Sequence, residues 1–193
     1  MEAASAVQKS NYYVLNTVVS ETTVRITNEP RLPPGSTLWI DGAPLKGTIQ
    51  EPLVYEIEVG DEGEMGPFIR TATPLMSRDL VETIQSCGVD NLDLYNAVIR
   101  ELATGHEYRN YLAVNIIGVI SGADRTQSVS TSLDGLGNWF ERLVLDEHAT
   151  RGSLMFRLRG SLSKVMVHRR VKEAIEAKGF PLLQFISADD FSG

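Results

Sequence analysis

An α+β fold, a mixed β-sheet packed by two principal helices, is predicted by three features of this 193-residue chain. Two stretches share one pattern 91 residues apart: Leu75-Met76-Ser77 leads to Leu80, Ile84, Gly88, Leu92 and Leu94, as Met166-Val167-His168 leads to Val171, Ile175, Gly179, Leu183 and Phe185. Each reads as a strand, a helix and a strand. Apolar residues four apart share one helix face, and the glycine takes the positive φ that ends the helix. The second feature is the apolar run Tyr111 to Ile120, suited to a buried strand. The third is an irregular, β-rich amino-terminal region in which Pro30, Pro33, Pro34 and Gly35 punctuate short extended pieces.

Taken in order, Tyr12-Tyr13-Val14-Leu15 opens as a strand and Thr22 to Ile26 follows as a second. Asp41-Gly42 suits a turn after Leu38-Trp39-Ile40, and Leu53 to Val59 alternates as a strand with one wet face. After Gly66-Pro67 and Pro74 the first repeated unit begins. Ser77 suits a helix N-cap, and Asp79 in the first turn suits the positive helix end. Asp93 to Arg100 reads as extended, and Ala103-Thr104-Gly105-His106 turns it toward the strand at Tyr111. Residues 121–138 read as the longest loop, with Gly135 and Gly137 there for backbone adaptability. Trp139 to Leu145 and Leu154 to Arg159 then read as strands before the second unit, whose helix can form Arg169–Glu173 and Lys172–Glu176 pairs. The chain is expected to form a single compact domain over 1–193. An amino-terminal β-rich lobe over 12–66 and an α/β body over 67–190 is the alternative division.

A hydrophobic content of 42% argues against wholesale disorder, and a net charge of −7 disfavours nonspecific nucleic-acid binding. The single cysteine, Cys87, allows no internal disulfide framework and no cysteine zinc cluster; one turn after Ile84, it reads as buried filler. The amino end lacks the basic start and apolar core of a secretory signal, and the run at Tyr111 is too short to span a bilayer. The expectation is a cytoplasmic protein without membrane attachment.

No local catalytic motif occurs. His106, His148 and His168 are not spaced to place ligands on one helix face, neither GxGxxG nor the Walker pattern is present, and no cofactor is expected. Asp146-Glu147-His148 reads as a solvated loop, and His168 as the counterpart of Ser77 at a helix start. Asp124 and Ser128 suit caps on local amides, with a binding role also open. Glu51, Glu56, Glu58, Asp61, Glu62 and Glu64 run without an intervening lysine or arginine. Such a run either forms a solvated face or holds a basic partner around an aromatic anchor, Trp39 or Tyr55. Arg169 and Arg170 sit where cations are unfavourable, at a helix amino end, and either face solvent or serve an acidic partner.

At Tyr13-Val14-Leu15-Asn16, Ser77-Arg78-Asp79-Leu80-Val81, Tyr111 to Gly118 and Val167 to Ile175, the chain resembles a bacterial immunity-protein family long catalogued as a domain of unknown function. Asp124 and Ser128 match its pattern after the central strand, and the likeness runs from residue 12 to about 187. His168 departs from the small hydroxyl residue expected before the second helix. The resemblance implies a noncatalytic inhibitor of a cognate protein toxin of a polymorphic toxin system, encoded by an adjacent gene. A protein-assembly adaptor and a small enzyme of unknown substrate class are the competing readings, and the oligomeric state is left open.

Overall fold

The computed structural model describes residues 10–18, 24–60, 63–71, 73–133 and 137–192. The chain runs through β1 (Tyr12–Thr17), β2 (Val24–Asn28), β3 (Leu53–Val59), β4 (Phe68–Ile69), β5 (Leu75–Ser77), α1 (Arg78–Ser86), β6 (Leu92–Glu101) and β7 (Glu107–Ile116). It continues through β8 (Val119–Ile120), β9 (Val129–Leu133), β10 (Gly137–Arg142), α2 (Glu147–Thr150), β11 (Met155–Leu158), β12 (Ser161–His168), α3 (Arg169–Lys178) and β13 (Leu183–Ser187). The class is α+β, with the strands divided between two mixed sheets, β2-β3-β6-β7-β5-β4 and β13-β1-β12-β11-β8, and a separate β10-β9 ribbon. The strands of residues 12–66 are shared between both sheets, β1 in one and β2 and β3 in the other.

The two repeated units have one architecture. β5 and β6 lie on either side of β7 and antiparallel to it, as β12 and β13 lie on either side of β1. The registers correspond residue for residue: Leu75 faces Ala113 and Asp93 faces Asn115, while Met166 faces Val14 and Gln184 faces Asn16. The central strands carry the same signature, Tyr111-Leu112-Ala113-Val114-Asn115 and Tyr12-Tyr13-Val14-Leu15-Asn16. One follows its unit in the chain and the other precedes it, which hides the correspondence from a search at constant offset.

Helix ends follow the chemistry of their caps. The Ser77 hydroxyl accepts the Leu80 N–H at 3.3 Å, and the Nδ1 of His168 accepts the Arg170 N–H at 3.1 Å, which leaves the neutral ring's proton on Nε2. Gly88 and Gly179 close the helices at φ +94° and +68°. Lys172 pairs with Glu176 at 2.6 Å, whereas Arg169 and Glu173 form no pair. Leu80, Val81 and Ile84 of α1 meet Val171 and Ile175 of α3 in a core completed by one face of each sheet, and Cys87 is buried among them. The far face of the first sheet packs on Trp39, Leu45 and Ile49. That of the second packs on Phe140, Leu143 and Phe191.

A buried tyrosine on each central strand is latched to the segment entering β4 or β11, the strand that pairs with the first strand of its unit. The Tyr111 hydroxyl donates to the Gly66 carbonyl at 2.8 Å, and the Tyr12 hydroxyl donates to the Ser153 carbonyl at 3.1 Å beside the Thr150 hydroxyl at 2.8 Å. Burial pushes the Tyr111 phenol up to about 12, so it stays a donor at neutral pH. Tyr12→Phe and Tyr111→Phe are each expected to lower stability by about 1–2 kcal/mol in urea unfolding, because a part-buried carbonyl loses its donor. Two changes below about 0.3 kcal/mol would show that the latches contribute nothing.

Candidate partner-binding site

Glu56 and Glu58, at the centre of the acidic run, lie on a mixed surface of both charges. Tyr55 and Ile57 point into the core while Glu56 and Glu58 point out, and neighbouring strands set cations beside them: Arg25 bonds Glu58, and Arg100 stands in register with Glu56. Glu107 continues the same mixed surface, paired to Arg100 at 3.0 Å and Arg109 at 2.5 Å, and the Arg100 bond with the Arg109 charge holds its carboxyl below the usual range. Glu51 is spent locally, accepting from the Asn96 side-chain amide at 2.7 Å and from its backbone N–H. Glu64 is exposed, and Asp61 and Glu62 lie outside the described residues. The expected aromatic anchors are interior. Trp39 is 6% exposed, edge-on to Tyr95 at 5.5 Å, and Tyr55 is fully buried.

Asp124 occupies a different place, the loop between β8 and β9. Its carboxylate accepts the Thr126 hydroxyl at 2.7 Å, the Thr126 N–H at 2.8 Å and both N–H groups offered by Gln127, which together hold it at about 2. Ser128 closes the loop by exchanging hydrogen bonds with the Val144 backbone at 3.0 and 3.1 Å. Asp124 thus caps local amides, whereas Ser128 caps the Val144 amide from 16 residues away. They shape one wall of a groove of about 470 Å³ lined by Ser121, Arg125, Ser130, Asn138, Phe140 and Arg159.

The groove's other wall is the β9–β10 ribbon, whose β9 lies in the stretch that the sequence reads as loop, while β10 overlaps the strand expected from Trp139. Gly137 fixes it in place: at φ +104° its Cα lies so close to the turn before β12 that a Cβ would stand 2.5 Å from the Gly160 carbonyl oxygen. Only glycine allows that approach, so its role is steric as well as conformational. Directly opposed residues share a ribbon face. Ser130 and Phe140 face the groove, whereas Thr131 and Trp139 lie on the opposite face, where Val129, Leu133 and Trp139 are 45%, 40% and 50% exposed. The outer edge of β9 has no strand beside it among the described residues. Arg125 and Arg159 are exposed and make no ion pair among the described residues.

The remaining titratable candidates are scattered. Arg169 and Arg170 are exposed on α3 without ion pairs among the described residues, His106 stacks edge-on against Tyr108, and Asp146 caps α2 by accepting the His148 N–H at 3.0 Å. Glu147 is pushed up by burial but held below its usual value overall, because the Asn11 N–H at 2.6 Å, its amide at 2.9 Å and the Ser10 hydroxyl outweigh that cost. Among the described residues no three acidic, histidine or cysteine side chains are grouped to hold a metal ion, and no helix is long and apolar enough to cross a membrane. Comparison with protein-family models and with curated proteins finds no match.

Arg157, missed in the sequence because it alternates as a strand residue, is the largest fully buried side chain. One of its nitrogens donates to the Leu162 carbonyl at 2.7 Å, and the other two have no partner, so desolvation pulls the guanidinium down to about 10. Arg157→Met is expected to leave stability unchanged or raise it by about 1–2 kcal/mol in denaturant unfolding, since it removes an uncompensated charge; a loss above about 2 kcal/mol would overturn this. Asp124 supplies the opposite sign of dependence. Its folded value lies below the ordinary 3.8, so its contribution is present above that pH and is lost as pH falls through about 2. Carboxyl ¹³C NMR is expected to give a midpoint near 2, and a midpoint near 3.8 would mean that the loop is not closed on it.

Proposed function

We propose that the protein is a noncatalytic immunity protein, acting in the cytoplasm, that binds and neutralises a cognate protein toxin encoded by an adjacent gene. The observation that carries this reading is the β9–β10 ribbon. It holds Trp139 half in water beside Val129 and Leu133, on a strand pair that buries only its other face through Phe140. Keeping such a surface wet forgoes hydrophobic stabilisation, and a tryptophan flanked by aliphatic side chains is the kind of anchor that dominates protein interfaces. The family resemblance supplies the kind of partner. Inhibition follows by occupation: a toxin surface held against the ribbon cannot engage its target.

This reading moves the binding surface away from the acidic run, where Glu56 and Glu58 stand beside Arg100 and Arg25. An assembly adaptor would use the same ribbon without rescuing a cell, so binding and rescue are measured together. Co-expression with the adjacent gene product is expected to yield a complex and protection from toxicity. Trp139→Ala is expected to weaken that complex by about 30-fold, a loss typical of a tryptophan anchor, with no change in melting temperature. Absence of both binding and rescue with the unaltered protein would contradict the assignment.

A further inference from the structure

We infer that the open edge of β9, with the two-arginine groove beside it, receives an extended acidic segment of the protein partner as an added strand. The inference rests on the partner-binding reading and specifies the partner's chemistry at that surface. β9 is Val129-Ser130-Thr131-Ser132-Leu133, five exposed residues with neither charge nor proline. Edge strands that must stay solitary are blunted by lysine, proline or a bulge; an uncharged one offers its backbone N–H and C=O groups to another strand.

The groove supplies the sign. Side chains alternate along a strand, so every second residue of a strand laid against β9 lies on the Ser130 side, the side of the groove holding Arg125 and Arg159. Neither guanidinium makes an ion pair among the described residues, while the carboxylate lining the groove with them, Asp124, already accepts from Thr126 and Gln127. Two free guanidiniums, with the Asn138 amide and the Ser130 hydroxyl near them, match carboxylates in charge and geometry. A nucleic acid is the poorer fit. Two arginines neutralise few phosphates against a net charge of −7, and a phosphate backbone leaves the β9 edge and the aliphatic face unused. The net charge does not forbid an acidic segment, because beyond about 8 Å it is screened at physiological salt.

The test uses the full isotope-labelled chain and a capped eight-residue peptide of alternating valine and glutamate. Controls carry glutamine or lysine in place of glutamate, and a dT15 strand tests the nucleic-acid alternative. The glutamate peptide is expected to shift the β9 amides and the Arg125 and Arg159 side-chain signals, and to bind about tenfold more tightly than the glutamine peptide. Arg125→Gln with Arg159→Gln is expected to abolish that preference, and Thr131→Lys to weaken both peptides. No binding, equal binding of all peptides, stronger shifts with dT15, or occupation of the β9 edge by a second copy in sedimentation would each overturn the inference. The two readings fail separately. Toxin binding that survives the double arginine variant sinks the acidic-segment inference alone, whereas peptide binding without toxin binding or rescue sinks the immunity reading alone.

Discussion

The fold depends on one shared core, in which α1 and α3 pack on each other and on one face of each sheet. Neither helix can hide its apolar side within its own unit: Leu80 and Ile84 need Val171 and Ile175 opposite them. Each such side chain contributes about 1.5–3 kcal/mol when fully buried, so the union of the two units outweighs any local propensity in them. Once the units are joined this way, each sheet keeps one apolar face turned outward. The first is covered by the irregular segment around Trp39 and the second by Phe140, Leu143 and Phe191. The β9–β10 ribbon belongs to neither unit and has no counterpart beside the first among the described residues. It is anchored by Phe140 below and by the Gly137–Gly160 approach at one end, which leaves its other face and one edge for another molecule.

Much of the architecture was legible because helical spacing and glycine caps depend only on local chemistry. The paired units, Ser77 and His168 as caps, the burial of Cys87 and the strand at Leu53 all follow from residues within a few positions of one another. What escaped depends on neighbours distant in sequence. The matching central strands, Tyr12 to Asn16 and Tyr111 to Asn115, stand on opposite sides of their units, so a fixed offset misses them. β9 carried no strand signal because five exposed residues bury no face, and periodicity reports burial.

The candidate site was less legible, and the reason is electrostatic. A run of carboxylates along one strand says nothing about the strands beside it. Here Arg25 from β2 and Arg100 from β6 fall in register with Glu58 and Glu56 and turn the run into a mixed surface. Conversely, Arg125 and Arg159 are 34 residues apart and look unremarkable until the turn before β12 brings them to one groove. Asp124 lines the groove, but its carboxylate organises the loop wall, and Arg125 and Arg159 supply the charge there that has no ion pair among the described residues.

The claim that matters most is that recognition occurs on the ribbon and not on the β2–β3 surface. Hydrogen–deuterium exchange on the complex with the adjacent gene product tests it most directly. Slowed exchange across residues 129–133 and in the loop 121–128, with β2 and β3 unchanged from the free protein, is expected. Protection confined to residues 53–59 and their neighbours, with the ribbon exchanging freely, would contradict it.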